Sequence, residues 1–321
     1  MQLHGVKYFT KLDVHWGFNN MQICNGDEWK PTFRTNHGLF EPQVMFFGLM
    51  NSPITFQTMM NDIFQDMIVE IVCIYLDDIL IFTKMLLEYQ NIMWRVLECL
   101  REHKLYLKPE KCEFKQKQIE YLRVIVLEGQ VEMDPVKASG VAEWPTPQNK
   151  KEVQSFVGFV NFYQRFIKDF SHHAPALFDL TKKDVGWKWE ELEQVAFNGL
   201  KELITSAPVL IFPDNSHLYC IEADSSNAAT GAVLSQQTLL ENGRKWHPIA
   251  FFSKSLSPIK WNYEIHDKEM LAIICMLEEW QHYLEGTPCQ FEVWMDHKNL
   301  KYFCTSKKLN WRQARWTLHL S

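Results

Sequence analysis

The sequence has no CxxC pair and no Cys/His spacing of a zinc site, although it contains eight cysteines. Thiols scattered in this way read as reduced and mostly buried in an intracellular protein, not as a disulfide frame. No apolar run is long enough to span a bilayer, and no signal-peptide pattern opens the chain. Excess positive charge is missing as well: a net charge of −6 excludes a uniformly basic coat for nucleic acid. There is no internal repeat and no low-complexity tract. What is present is 321 residues, 46% hydrophobic and 22% charged, enough for a real core in two domains or one elaborate one. Two local basic segments stand against the acidic balance. One holds Arg101, Lys104, Lys108, Lys111, Lys115 and Lys117; the other runs from Lys298 to the end without an Asp or Glu. Either could equally be a solvated helix face.

Hydrophobic periodicity organises the chain. Lys7 to Asp13 reads as a strand. Residues 22–47 hold short strand-like stretches broken by Gly26, Asp27, Pro31 and Gly38. Ser52-Pro53 begins a helix, with Ser as the cap and Pro in the first turn. A second helix covers Glu88 to Glu102, and Tyr121–Val126 with Gln130–Met133 forms a hairpin around Glu128-Gly129. Pro135 to Asn149 reads as a connection. An amphipathic helix follows over Val153 to Phe170, with Phe156, Val157, Val160, Tyr163 and Phe166 on one stripe. Another covers Glu190 to Ser206, and Pro208 to Pro213 links into a second region. That region has strands at His217–Asp224, Gly231–Gln236 and Trp246–Phe252, a helix over Asp267–Leu284, and a strand at Cys289–Asp296. Three strands, a helix and a strand make an α/β layer arrangement.

The most informative feature is Ile74-Tyr75-Leu76-Asp77-Asp78-Ile79-Leu80-Ile81-Phe82. Its flanks read as two strands buried on at least one face. Adjacent acids at the tip of such a hairpin repel each other and are costly to desolvate unpaired. A divalent ion with oxygen ligands would resolve the repulsion. Taken alone, such a pair is more often a solvated turn.

Its company narrows the choice. Asp13 closes a strand and is followed by Trp16-Gly17-Phe18. Then come Phe47-Gly48-Leu49, Asn51-Ser52-Pro53, Phe56-Gln57, Tyr75-Leu76-Asp77-Asp78 and Leu105-Tyr106-Leu107-Lys108-Pro109-Glu110-Lys111-Cys112. In this order the chain resembles the reverse transcriptase and ribonuclease H region of gypsy-type LTR retrotransposon polyproteins, truncated at both ends. The resemblance implies a mixed α/β (α+β) fold. A right-hand polymerase palm with partial fingers and thumb would span 1–134, a connection 135–213, and an incomplete ribonuclease H-like α/β domain 214–321. It implies that Asp13 and Asp77 bridge two Mg²⁺ ions (Mn²⁺ as the substitute), that Asp78 completes the triad, and that the Val14 carbonyl is a further ligand. Phe18 would lie under the sugar of the incoming nucleotide and exclude a 2′-hydroxyl. Phe47, Gly48 and Gln57 would line the template and nucleotide pocket.

The resemblance continues through Glu222-Ala223-Asp224-Ser225-Ser226, the start of the helix at Tyr263–Glu269, and Trp294-Met295-Asp296-His297-Lys298-Asn299-Leu300. Asp224, Glu269 and Asp296 match three of that family's four metal-binding carboxylates, the fourth falling beyond the chain. Glu269, read as a first-turn residue, would otherwise be a helix-dipole partner. The implied partners are an RNA template, a DNA primer, the RNA–DNA hybrid and deoxynucleoside triphosphates, with self-association or other polyprotein products besides. The implied location is the cytoplasm, in virus-like particles. Arg123, which stands where the family has Gly in the hairpin that grips the primer, and truncation at both ends favour an alternative, a degenerate relic that folds in part but does not catalyse. Met295 stands where the family has a small hydroxyl residue.

Overall fold

The computed structural model describes residues 3–240, 243–288, 290–295, 311, 313, 315 and 316. The chain divides into two compact units, Met1–Gln130 and Val131–Ser321.

The first unit is built on strand β1 (Tyr8–Asp13). A short hairpin, β2 (Phe33–Thr35) and β3 (Gly38–Phe40), precedes helix α1 (Ser52–Ile63). Asn51, not Ser52, is the capping position; Ser52 is the first helical residue, and its hydroxyl donates to the Phe46 carbonyl at 3.3 Å. Strands β4 (Val72–Tyr75) and β5 (Asp78–Thr83) and helix α2 (Leu86–Glu102) follow. Strand β6 (Glu113–Gln116) completes a sheet in the order β4-β5-β1-β6. Alternation decides which face is covered. Leu12, Val72, Ile79 and Ile81 point into a core that α1 supplies with Phe56 and Met60, and α2 with Ile92, Met93, Val96 and Leu100.

The sequence reading of Tyr121–Val126 as one strand is corrected. Strand β7 (Gln118–Tyr121) ends at Tyr121 and β8 (Val124–Leu127) begins at Val124, with Tyr121 paired to Val124. Leu122 and Arg123 form the two-residue turn, with φ of 49° and 66°. Primed turns of this kind suit the twist of antiparallel strands but need positive φ at both central residues, where a Cβ is strained.

The second unit opens with β9 (Gln130–Met133), which neighbours β10 (Leu210–Ile211). Between them lie five helices. Part of the segment read as a connection is helical: α3 (Pro135–Ala142) starts where the Asp134 carboxylate accepts the Val136 N–H at 2.9 Å. The long helix expected over Val153–Phe170 is broken. Helix α4 (Lys150–Phe162) stops, a 3₁₀ turn covers Gln164–Phe166, Asp169 takes a φ of 54°, and α5 (Phe170–His173) resumes. The apolar stripe persists through the break because Phe156, Val157, Val160, Tyr163 and Phe166 are all buried. Helices α6 (Pro175–Thr181) and α7 (Glu191–Thr205) finish the cluster. Helix α7 is closed by a reciprocal capping box between Glu190 and Glu193.

The last sheet has the order β13-β12-β11-β14. Strands β11 (Tyr219–Ser225), β12 (Ala229–Leu240) and β13 (Gly243–Ser255) form an antiparallel meander. The short helix α8 (Pro258–Trp261) leads to α9 (Ile265–Leu284), and β14 (Glu292–Trp294) returns parallel to β11. Helix α9 covers the face bearing Tyr219, Ile221, Ala223 and Leu234 with Met270, Ile273, Ile274 and Met276. The helix cluster meets the same sheet where the Ser171 N–H donates to Ser253 Oγ at 2.9 Å.

The left-handed turn generates a prediction. Replacing Arg123 by Gly removes a strained Cβ at some cost in unfolded-state entropy, so Arg123→Gly should raise stability by about 0.5–1 kcal/mol. A urea-denaturation midpoint that does not move would show that the turn carries no such strain.

Candidate active site

The antiparallel register of β1 with β5 sets Asp13 directly opposite Asp78. The Val14 N–H donates to the Asp77 carbonyl at 2.9 Å. Leu76 and Asp77 are the turn between β4 and β5, with Tyr75 paired to Asp78. Leu76 has a φ of 52°, unusual for a branched residue. Gln57 of α1 holds it there. Its Oε1 accepts the Leu76 N–H at 2.7 Å, and its Nε2 donates to the Ile74 carbonyl at 3.3 Å and to Asn61 Oδ1 at 2.8 Å. The side chain of Gln57 is thus engaged in shaping the turn.

Three carboxylates therefore share one end of the sheet. Asp77 Oδ1 is fully buried and has no hydrogen-bond partner among the described residues. A Cβ at Gly17 would collide with that oxygen and lie 2.9 Å from Phe56 Cζ, so glycine there leaves the room the carboxylate uses. Burial pushes the Asp77 carboxyl above the ordinary value; Lys108 opposes the shift, and Asp13 and Asp78 add to it. Burial likewise raises Asp78, against Lys11 and with Asp13. Lysine faces one of the three acids. Lys108 Nζ donates to Asp13 Oδ1 at 2.7 Å, and Lys111 Nζ lies 3.6 Å from Asp13 Oδ2. The Lys108 ammonium is held above its usual value, chiefly by its hydrogen bond to Asp13. Both lysines belong to a motif and to the basic segment from Arg101 to Lys117, which by themselves assign them no place in the site.

Among the described residues no group of three His, Cys, Asp or Glu side chains is arranged to hold a metal ion. The donor set still fits one. It is all oxygen, it is partly desolvated, and it contains a buried carboxylate oxygen with no proton donor.

Phe18 is largely buried, edge-on to Phe47 and Phe56 with ring centroids 4.9 and 5.6 Å away. Phe47 is exposed on its other side, and Gly48 has a φ of 102° that favours glycine. The hairpin with Arg123 is anchored near the acids: the Tyr121 hydroxyl donates to the carbonyls of Cys73 and Asp78, each at 3.4 Å.

In the second unit Asp224 is exposed near the end of β11 and accepts the Ser225 N–H at 2.7 Å. Glu269 is the fifth residue of α9, not a first-turn residue, and is 5% exposed. That burial is a poor setting for a mere dipole partner. The two elements are tied together where Lys268 Nζ donates to Asn227 Oδ1 at 2.9 Å. Asp296 lies outside the described residues, as do the lysines and arginines from Lys298 onward apart from Arg315. Met295 packs against the core of the second unit.

Comparison with known proteins follows the same division. Residues 1–126 match the family described as reverse transcriptase (RNA-dependent DNA polymerase). Residues 214–321 match the RNase H-like domain found in reverse transcriptase. The Tf2-3 and Tf2-7 transposon polyproteins of Schizosaccharomyces pombe are 37% and 36% identical over 99% of this chain. The chain spans 24% of the length of those curated relatives. Solved structures of a foamy viral protease-reverse transcriptase share the fold at 19% identity. The one in complex with an RNA/DNA hybrid superposes with a TM-score of 0.81, covering 98% of this chain and 43% of that one. The one with dsDNA gives 0.80, covering 98% and 66%.

The raised carboxylates have a consequence for stability. The folded state binds their protons more tightly than the unfolded chain does. Their contribution is therefore fully present below the unfolded value of 3.8 and is lost as pH climbs through the raised folded value. Asp77→Asn should stabilise the metal-free protein, and by more at pH 7 than at pH 4.5. Melting curves at the two pH values check this; an equal or reversed gain would show that the site does not strain its acids.

Proposed function

Because the chain belongs to the reverse transcriptase–ribonuclease H family of retrotransposon polyproteins, we propose that it copies RNA and DNA templates into DNA and degrades the RNA strand of the resulting hybrid. The observation that carries the reading is the convergence of Asp13, Asp77 and Asp78 at one sheet end, with a buried carboxylate oxygen and an all-oxygen donor set. Asp13, Asp77 and Asp78, with the Val14 carbonyl, would hold Mg²⁺ in the polymerase site, and Mn²⁺ would substitute. Asp224, Glu269 and Asp296 would hold it in the nuclease site. Bound in pairs, such ions lower the pKa of an attacking oxygen and stabilise a departing one.

The chain's own residues do the rest. Gln57 fixes the acidic turn through its bonds to Leu76 and Ile74. The exposed faces of Phe47 and Gly48 offer a surface for template and nucleotide. Phe18, wedged between Phe47 and Phe56, offers a ring against which a deoxyribose fits and a 2′-hydroxyl does not. Lys104, Lys115 and Lys117 would contact phosphates without reading sequence. By the same reading the partners are an RNA template, a DNA primer, deoxynucleoside triphosphates and other products of the polyprotein, within cytoplasmic virus-like particles.

A second reading, a folded relic without catalysis, draws on two observations. Lys108 already neutralises Asp13, and Arg123 occupies a turn that favours glycine. Primer extension on an RNA template with Mg²⁺ separates the two. Incorporation that Asp77→Asn abolishes supports the enzyme; absent incorporation, with hybrid binding that weakens as salt rises, supports the relic. In the active case Phe18→Ala should admit ribonucleotides. The truncation also costs about 3 kcal/mol of core packing, so the comparison is made at a temperature where the variant is folded. Ribonucleotide rejection equal to wild type would remove Phe18 from sugar selection.

A further inference from the structure

We infer that Lys268 is a positioning residue of the nuclease site: its ammonium ties the loop that follows Asp224 to the helix that carries Glu269. The inference rests on the ribonuclease reading above and deepens it.

Lys268 immediately precedes Glu269 in α9 and is 3% exposed. Its Nζ donates to Oδ1 of Asn227, which stands three residues beyond Asp224 and is itself exposed. The loop it grips is internally braced. Ser226 Oγ accepts the N–H groups of Ala228 and Ala229 at 3.2 and 3.0 Å, and the Ser226 N–H donates to the Ala229 carbonyl at 2.8 Å. The Ala228 carbonyl accepts the Leu256 N–H at 2.8 Å. A braced loop moves as a body, so a tie at Asn227 fixes where the end of β11 stands against the start of α9. Asp224 and Glu269 are the side chains whose separation that tie controls.

The energetics argue that position, not stability, is the return. Burying a lysine side chain costs hydration that a bond to a neutral amide restores only in part. A methionine would fill the same channel without that cost. Successive helical residues project about 100° apart, so Lys268 reaches the loop without displacing Glu269 from its own direction.

The test uses the full chain with Lys268→Met and Asn227→Ala. Asn227 is exposed, so its truncation opens no cavity and keeps the test valid if the lysine variant fails to fold. Native-state hydrogen exchange at Ser226, Ala228 and Ala229 should accelerate about fivefold, the loss of roughly one hydrogen bond. The Mg²⁺ concentration giving half-maximal cleavage of an RNA–DNA hybrid should rise about tenfold, as expected when support behind a metal ligand is removed. Primer extension by the same preparations should be unchanged. Asn227→Asp, which keeps the acceptor and adds a charge, should restore both readouts in contrast to Asn227→Ala. Exchange and Mg²⁺ midpoint that stay at wild-type values in Asn227→Ala would overturn the inference. If wild type cleaves no hybrid but the exchange contrast persists, the tie stands and the ribonuclease reading falls.

Discussion

The pairing of β1 with β5 is the constraint on which the first unit depends. Strand registers are set in whole residues, and a slip of one would turn Asp13 to the opposite face while exposing Leu12. Burial of Leu12, Ile79 and Ile81 against α1 and α2 fixes the register. The opposition of Asp13 to Asp78 is then a by-product of hydrophobic packing. The core places the acids where their mutual repulsion would not have placed them.

That forced proximity has visible consequences. Burial and neighbouring carboxylates raise both Asp77 and Asp78, and the protein answers with Lys108 on Asp13. One oxygen of Asp77 is left inside without a donor among the described residues. Around it the backbone departs from easy conformations: Leu76 is left-handed and bound by Gln57, and Leu122 and Arg123 are left-handed in the neighbouring hairpin. Charge concentrated by packing and turns held against their preference are the marks of a site that a fold maintains at a cost to its own stability.

The second unit handles its acids differently. Asp224 is left exposed at a strand end, while Glu269 is drawn under the surface by an apolar helix. Nothing in the alternation of β11 alone would set their distance. It depends on how α9 lies over Ile221, Ala223 and Leu234, and on the Lys268–Asn227 tie at the margin.

The sequence by itself determined most of the elements and named the candidate site residues. Alternation marked β1, β5 and β11, the 3.6-residue stripe marked α1, α2, α7 and α9, and the order of motifs, through the resemblance it carries, named both candidate acid sets. These signals are local, and local signals survive in a linear reading. Tertiary structure decided the rest. The stripe through Phe156 and Phe166 looked continuous because burial is continuous there, yet the helix beneath it stops at Phe162. Arg123 looked like a bar to the hairpin turn, yet Tyr121–Val124 pairing holds it in one. Gln57, placed at the pocket by resemblance, also braces the acidic turn, and Lys108 of the basic segment faces Asp13. The roles of Gln57 and Lys108 turn on partners 19 and 95 positions away. Partners at such separations are chosen by packing, which a linear pattern does not encode.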